Sequence, residues 1–279
     1  MEVDFGKTAA DYAEHRAGFP KELFDRLAAM GLGRSGQRVL DLGTGTGSLA
    51  RGFARRGCSV TGVDPSEPLL RQARRLADEE GLQIDFREGR AEDVGVPDGA
   101  VDVVTAGQCW HWFDGPTAAR ECLRVLCPDG ALAVCHFDWL PLRGNVVAAT
   151  EALITLHNPH WSFGGGTGMY PQWTLDVAGA GFGALETFSF DVDVPYSAEA
   201  WRGRIRASAG VAASLPPDAV AVFDTELAAL LAREFPAEPL AVPHRVWALV
   251  ARAPHGGAGR DGQSSEVPPR CQPPQNGQG

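Results

Sequence analysis

The sequence predicts an α/β fold built around a mostly parallel sheet. Short apolar segments of strand length alternate with helical segments of about 10–15 residues, which is typical of βαβ units. A glycine-rich turn joins the first predicted strand to the first predicted helix of that pattern. The chain of 279 residues is also long enough to bury a core without disulfide or metal support.

The first half of the chain supplies most of the predicted sheet. Apolar, β-branched runs bounded by turn residues indicate buried strands, and the amphipathic stretches between them indicate helices. In chain order we predict strand 38–42, helix 48–56, strand 59–64, helix 67–80, strand 84–87, strand 101–106, helix 117–126 and strand 131–137.

The second half departs from this alternation. Segment 138–173 is long, aromatic and glycine-rich, so we predict an insertion there and not a part of the sheet. Helix 175–180, strand 185–194, helical stretches 197–214 and 218–234, and strand 245–251 follow. The helices between the last two strands, 197–235, are a candidate lid on a domain spanning 37–253. Paired glycines and prolines predict a disordered tail over 254–279.

Composition narrows the classes of function. The net charge is −10, from 25 Lys+Arg and 35 Asp+Glu, which disfavours nucleic-acid binding because that function requires a basic surface. We expect no membrane span, because no apolar run reaches about 18 residues. The N-terminus lacks a secretory apolar region, and the six cysteines form no CxxC pair. These features predict a cytoplasmic protein with reduced, buried cysteines.

The most informative motif is the turn after the first strand, where residues 39–47 read Val-Leu-Asp-Leu-Gly-Thr-Gly-Thr-Gly. Gly43, Gly45 and Gly47 permit a sharp turn and let a ligand approach the backbone. Asp64 ends the next strand, where a carboxylate can accept hydrogen bonds from both hydroxyls of a ribose. Together these residues predict a site for a nucleoside-bearing ligand at the carboxyl edge of the sheet.

Two ligand classes fit this turn. Read from Gly45, the loop satisfies a loose GxGxxA pattern, so a dinucleotide such as NAD is one candidate. Asp41 precedes the first glycine, and its carboxylate would repel a pyrophosphate but attract an ammonium or sulfonium group. No arginine or lysine near the loop is expected to hold phosphates. The charges favour S-adenosylmethionine, and a glycine turn without any ligand is the remaining alternative.

These motifs resemble those of the class I S-adenosylmethionine-dependent methyltransferases over about residues 5–137. The matching elements are Asp41-x-Gly43-x-Gly45-x-Gly47, Asp64 and the segment 89–93. The resemblance implies a Rossmann-like sheet of seven strands, mostly parallel with an antiparallel last strand, and helical lid insertions. It also implies S-adenosyl-L-methionine as cofactor. The residues implied at the adenine are Pro65, Leu69, Ala91 and Glu92, and Gln108 is implied at the methionine moiety.

The N-terminal segment is similar to the lid of the small-molecule branch of that family. Residues 5–6 and 12–20, together with 110–113, resemble the trans-aconitate methyltransferase-like group, also described as methyltransferase type 11. The resemblance implies lid helices within 1–36 and places Tyr12 and Arg16 at the cofactor. Arg16 could hold a carboxylate with its bidentate guanidinium. An ordinary amphipathic helix is the alternative interpretation of these two residues.

Candidate catalytic residues follow the fourth and fifth strands, because ligands bind outside the carboxyl ends of such strands. Methyl transfer requires alignment, and it requires a base only when the acceptor must lose a proton. Histidine is the natural base near neutral pH. His111 is the first candidate and His136 the second, with a pocket-wall or structural role as the alternative for each. We expect no metal, because His157 and His160 lack a third ligand.

Five of the seven tryptophans lie between residues 110 and 173. If they converge, the pocket suits a flat or apolar small molecule, and the insertion would be a mobile loop facing the substrate. The candidate substrate-binding residues are Trp110, Trp112, Trp139, His160, Trp161 and Tyr170. Core packing alone is the alternative explanation for each tryptophan.

The sequence therefore predicts an S-adenosylmethionine-dependent methyltransferase acting on a small-molecule metabolite, with a place in natural-product biosynthesis. It leaves open whether O, N or C is methylated, and it leaves the oligomeric state open. Two alternatives come from other classes: an NAD-dependent oxidoreductase, and a protein that uses S-adenosylmethionine as a non-reacting scaffold.

Overall fold

The computed structural model of the chain describes residues 17–255. Its strands are β1 (Arg38–Leu42), β2 (Ser59–Asp64), β3 (Ile84–Glu88), β4 (Val101–Gly107), β5 (Leu126–Trp139), β6 (Gly183–Tyr196) and β7 (Leu240–Arg252). Its helices are α1 (Lys21–Ala29), α2 (Ser48–Ala54), α3 (Glu67–Glu79), α4 (Gly115–Val125), α5 (Val146–His157), α6 (Trp173–Gly179), α7 (Ala198–Arg206) and α8 (Pro217–Glu234). The described residues do not include 1–16 of the predicted N-terminal lid, which contain Tyr12 and Arg16, or 256–279 of the predicted tail.

One seven-stranded sheet organises the described part, in the order β3-β2-β1-β4-β5-β7-β6. The first five strands pair in parallel, and β7 runs antiparallel between β5 and β6. This confirms the expected Rossmann-like sheet with an antiparallel last strand. The strand order reverses between β1 and β4, and in open α/β sheets such a switch point is where ligands bind.

Both faces of the sheet are covered by helices, and β1 shows how the sequence specifies this. Leu40 and Leu42 face one core, which α4 and α6 cover, whereas Val39 faces the other, which α1, α2 and α3 cover. A strand buried on both faces has apolar side chains without strict alternation. This is why the apolar run of β1 was sufficient to predict it as a buried strand.

A third apolar cluster joins the two insertions. Helices α5, α7 and α8 pack together through Ile154, Trp201 and Phe223, all of which are buried. Within the predicted insertion, α5 occupies 146–157, a helix that the sequence did not predict. Asn145 caps this helix by accepting a hydrogen bond from the backbone N–H of Ala148 at 2.9 Å. Apolar side chains surround much of α5 instead of forming one stripe, so the helical periodicity was weak.

Two further observations concern the described part as a whole. The five cysteines in 17–255 are buried and form no disulfide with one another. Within the same residues, no helix has the length and apolar character that crossing a membrane requires, and no group of three or more histidine, cysteine and acidic side chains could hold a metal ion.

Candidate active site

A cavity of about 730 Å³ opens at the carboxyl edge of the sheet. Its walls combine the loops after β1, β2 and β4, the end of β5, the segment before α6, and the end of α7. The predicted site residues that line it are Gly43, Gly45, Asp64, Pro65, Leu69, Gln108, His111, Trp112, His136, Trp139, Trp161 and Tyr170. The structure thus brings the two predicted halves, cofactor and acceptor, into one cavity large enough for a drug-sized ligand.

The glycine loop has the backbone conformation that its sequence predicts. Gly43, Gly45 and Gly47 have φ values of +55°, +56° and +78°, a left-handed region that disfavours side chains. A Cβ on Gly43 would lie 2.8 Å from Cys109, whereas a Cβ on Gly45 would meet nothing within 4 Å. Gly43 is therefore needed for packing, and Gly45 leaves open space where the loop faces the cavity.

Asp41 supports this loop from behind and does not line the cavity. Its Oδ1 accepts a hydrogen bond from the Thr105 hydroxyl and its Oδ2 accepts one from the Thr44 hydroxyl, both at 2.6 Å. The side chain is 1% exposed, and burial raises its pKa to about 6. The structure therefore does not support the predicted direct contact of Asp41 with a ligand. It does support a negative charge beneath the glycine loop.

Asp64 is fastened at the point where β2 meets the cavity. Its Oδ2 accepts from the backbone N–H of Gly45 and its Oδ1 from that of Ser66, both at 2.9 Å. Burial raises the pKa of this carboxyl. Each oxygen keeps a further acceptor site, and Pro65 and Leu69 provide an apolar wall beside it. A carboxylate next to an apolar slot fits the ribose and adenine of an adenosine compound.

The expectation that no cationic side chain lies near the loop was wrong. Arg51, on α2, lines the cavity. Its guanidinium is paired with Glu80, so its charge is offset within the protein. Arg51 follows Gly47 by about one turn of α2, which returns its side chain to the loop.

Among the predicted site residues that the structure describes, six do not line the cavity: Asp41, Gly47, Ala91, Glu92, Trp110 and His160. Trp110 is 1% exposed and its Nε1 donates to Asp176 at 3.1 Å, which makes it part of the core. Glu92 accepts a hydrogen bond from the backbone N–H of Asp114 at 3.0 Å, and His160 is exposed to solvent. Direct ligand contact in this cavity is not supported for these residues.

Asp138 organises the acceptor end of the cavity. Its Oδ2 accepts from the Tyr170 hydroxyl at 2.5 Å and lies 3.1 Å from His136 Nδ1. Its Oδ1 accepts from Gln108 Nε2 at 3.2 Å. Gln108 has a φ of +57°, an uncommon conformation for a residue with a side chain. Burial and the neighbouring Asp138 both raise the pKa of Tyr170, so that hydroxyl stays a donor.

This network selects the tautomer of the neutral His136 imidazole. A carboxylate can only accept a hydrogen bond, so Nδ1 carries a proton, and in the neutral ring Nε2 then presents a lone pair. His136 is 2% exposed, and its Nε2 has no hydrogen-bond partner. The rings of Tyr170 and Trp173 flank it with centroids at 4.3 and 4.8 Å. The result is a buried imidazole in the cavity wall with an unused acceptor nitrogen.

His111 has a different environment from His136. It is exposed, and with the exposed rings of Trp112 and Phe163 it forms an aromatic rim around the cavity. Its ring centroid lies 5.5 Å from that of His136. Of the two candidate bases, His136 has the oriented, buried nitrogen, and His111 lies in the rim.

A buried carboxylate holds the insertion loop against the cavity. Glu151, on α5, is 8% exposed. Its two oxygens accept from Trp139 Nε1 and from the backbone N–H of Gly165, both at 2.8 Å. Trp161, Phe163 and Tyr170 of this loop line the cavity. The loop therefore faces the candidate acceptor site as expected, and its mobility stays a prediction.

Sequence reasoning missed several residues of the cavity wall. These are chiefly Asp138 as an organising carboxylate, Glu151, Phe163, Arg204 and Ser208. A signal was present only for Asp138, which follows His136 at the end of a predicted strand. The others come from the insertions, whose placement depends on packing between distant segments.

Comparisons with known proteins agree with the fold. Residues 40–134 match the family model described as a methyltransferase domain. An uncharacterised methyltransferase of Mycobacterium tuberculosis is 36% identical over 153 residues, which cover 53% of this chain and 60% of that protein. An uncharacterised methyltransferase of Schizosaccharomyces pombe is 30% identical over 196 residues, which cover 70% of this chain and 74% of that protein.

Solved structures include proteins of the same fold. The YcgJ protein from Bacillus subtilis aligns with a TM-score of 0.55 and 20% identity, covering 85% of this chain and 100% of that chain. At that identity the likeness shows the fold alone. The chain spans 60% of the length of the mycobacterial relative.

Proposed function

Because the chain belongs to the class I S-adenosylmethionine-dependent methyltransferases, we propose that it transfers a methyl group from S-adenosylmethionine to a small organic acceptor. The observation that carries this proposal is the single cavity in which an adenosine-type site and an oriented, unpartnered histidine lie together. An adenosine compound in the first part would direct its far end toward the second.

The residues of the cofactor end fit S-adenosylmethionine. Asp64 would accept hydrogen bonds from the ribose hydroxyls, and Pro65 and Leu69 would contact the adenine. The loop approaches without side chains at Gly43 and Gly45, and the charge of Asp41 beneath it favours a cationic ligand. When bound, S-adenosylmethionine supplies a methyl carbon whose bond to sulfur breaks as the acceptor atom bonds to it, the electron pair remaining on sulfur.

We propose His136 as the base for an acceptor that must lose a proton, such as a hydroxyl or an activated C–H. His136 Nε2 takes the proton from the acceptor atom, and the resulting imidazolium keeps its Nδ1–H bond to Asp138. Tyr170 and Gln108 hold the Asp138 carboxylate in place for that role. General-base assistance of this kind contributes roughly 10²–10⁴-fold in rate.

The cavity favours a small acceptor over a macromolecule. Aromatic side chains of the rim and loop suit a flat or partly apolar molecule. The net charge of −10 disfavours nucleic acid as substrate because phosphates would be repelled.

Calorimetry with the full chain tests the cofactor part of the proposal. We expect S-adenosylhomocysteine to bind and NADH not to bind. Asp64→Ala should abolish most of the binding, whereas the matched control Asp85→Ala, an exposed carboxylate on β3, should leave it unchanged. Binding of NADH without S-adenosylhomocysteine would overturn the proposal in favour of an oxidoreductase.

A labelling experiment tests the transfer itself. The protein is incubated with methyl-labelled S-adenosylmethionine and an extract of the producing cell, and small molecules are analysed by mass spectrometry. We expect one labelled product that is absent with Asp64→Ala. Cofactor binding without any labelled product would favour a protein that uses the cofactor as a scaffold.

A further inference from the structure

A basic corner lies at the acceptor end of the cavity. Arg204, on α7, and Ser208, just after that helix, both line the cavity together with Trp139. The guanidinium carbon of Arg204 is 4.7 Å from the centroid of the Trp139 ring, a cation–π contact. None of these groups belongs to the glycine loop or is hydrogen-bonded to the network around His136.

Arg204 forms no salt bridge within 17–255, although the Asp138 carboxylate is close enough to attract its charge. The flanking Arg202 and Arg206 both form ion pairs with Asp224, whereas Arg204 forms a hydrogen bond with the Tyr196 hydroxyl. The side chain is half-buried, and burial lowers its pKa. A partly desolvated cation of this kind is costly unless an anion pairs with it.

Ser208 provides an independent observation at the same wall. It is 7% exposed, and its hydroxyl oxygen has no hydrogen-bond partner. Buried hydroxyls in folded proteins are nearly always hydrogen-bonded, so an unpaired one requires an explanation. A bound ligand that accepts hydrogen bonds would satisfy both Ser208 and Arg204.

We propose that Arg204 and Ser208 form an anion subsite that holds a carboxylate of the methyl acceptor. This inference rests on the proposed function. The planar guanidinium presents parallel N–H groups that match a carboxylate. One positive charge and one hydroxyl balance a single negative charge, whereas a phosphate dianion would keep half of its charge uncompensated. Trp139 offers an apolar surface to the part of the acceptor next to the carboxylate.

With this subsite, the group that anchors the acceptor is not the group that is methylated. The subsite lies beside the His136–Asp138 pair, because all of these residues line one cavity and Asp138 is close enough to attract the charge of Arg204. The oxygens of a carboxylate held by arginine are committed to hydrogen bonds, which makes them poor nucleophiles. The methylated atom is therefore a second group of the acceptor, located where His136 Nε2 can take its proton.

Binding of benzoate and its neutral isostere benzamide to the full chain loaded with S-adenosylhomocysteine tests the subsite. We expect benzoate to bind at least about ten-fold more tightly than benzamide, a difference of about 1.4 kcal/mol. Arg204→Met should remove this preference and Arg204→Lys should retain part of it. Ser208→Ala should weaken benzoate binding several-fold without changing benzamide binding. The control Arg233→Met, at an exposed arginine of α8, should leave the binding of both benzoate and benzamide unchanged.

The affinity for S-adenosylhomocysteine, measured first for every variant, separates the two proposals. If the wild-type protein does not bind S-adenosylhomocysteine, the proposed function fails. If it does, and benzoate binds no better than benzamide or not at all at millimolar concentration, the subsite is overturned while the proposed function stands. If Arg204→Met fails to fold, two measurements still test the subsite: the preference of the wild-type protein for benzoate over benzamide, and the effect of Ser208→Ala on benzoate binding.

Discussion

Asp41 offers a quantitative test of how the glycine loop is supported. Burial raises its pKa from the ordinary value of 3.8 to about 6. Each pH unit of that difference corresponds to about 1.4 kcal/mol, so the ionised carboxylate costs the folded state about 3 kcal/mol. Asp41→Asn removes the charge, and the amide can still bond to the hydroxyls of Thr44 and Thr105. We therefore expect the variant to be more stable than the wild type at neutral pH.

The sign of the pH dependence follows from the raised pKa. Below pH 3.8 the carboxyl is neutral in the folded and unfolded states, so its charge costs nothing there. Between pH 3.8 and about 6 the folded state binds more protons than the unfolded state, and stability falls as pH rises. Above about pH 6 the full cost remains. The advantage of Asp41→Asn should grow over this window and then stay constant.

Urea unfolding of the ligand-free protein at two pH values measures this effect. We expect Asp41→Asn to exceed the wild type by about 1 kcal/mol at pH 4.5 and by about 3 kcal/mol at pH 7.5. The exposed control Asp85→Asn should show no such growth. The variant should also bind S-adenosylmethionine several-fold more weakly. A less stable variant at pH 7.5, or a difference that does not change with pH, would refute the reasoning.

The remaining predictions address the ligand, the base and the loop. Asp64→Ala removes two charge-assisted hydrogen bonds of about 1.5–3 kcal/mol each, so calorimetry should show binding of S-adenosylhomocysteine weakened by roughly 10²–10⁴-fold; an unchanged affinity would contradict the ribose contact. His136→Gln should lower turnover of the labelled acceptor by roughly 10²–10⁴-fold at unchanged cofactor affinity, and His111→Ala by less than about ten-fold; the reverse order would make His111 the base. Glu151→Ala should speed proteolysis within 158–172, because the bonds to Trp139 and Gly165 are lost; equal cleavage rates would show that the carboxylate does not hold the loop.

The sheet was predictable because its elements have strong local signals. The strands are apolar runs bounded by turn residues. The glycine loop marks the turn between β1 and α2, and it predicts where a ligand approaches the backbone. Helix α5 was missed because its apolar residues do not form one stripe. Its existence depends on packing against α7 and α8, which no local pattern in 138–173 reveals.

The cofactor end of the site was more predictable than the acceptor end. Its residues belong to two loops of fixed spacing, and Gly43, Gly45 and Asp64 all line the cavity. Trp110 was assigned to the pocket because of its neighbours in sequence, but the single turn of 3₁₀ helix at Trp110–Trp112 directs it into the core.

The acceptor end depends on contacts between segments far apart in the chain. Arg204 meets Trp139 across more than sixty residues of sequence, and the sequence of α7 resembles an ordinary solvated face rich in arginine. Tyr170 likewise reaches Asp138 only because the insertion folds back onto β5. Such contacts follow from tertiary packing and have no signature in composition or spacing.

A crystal structure of the protein with S-adenosylhomocysteine tests the central claim most directly. We predict the ribose hydroxyls on the Asp64 carboxylate, the adenine against Pro65 and Leu69, and the sulfur directed toward the part of the cavity that contains His136. The same ligand bound outside the cavity, or in it with Asp64 free of the ribose, would contradict the account.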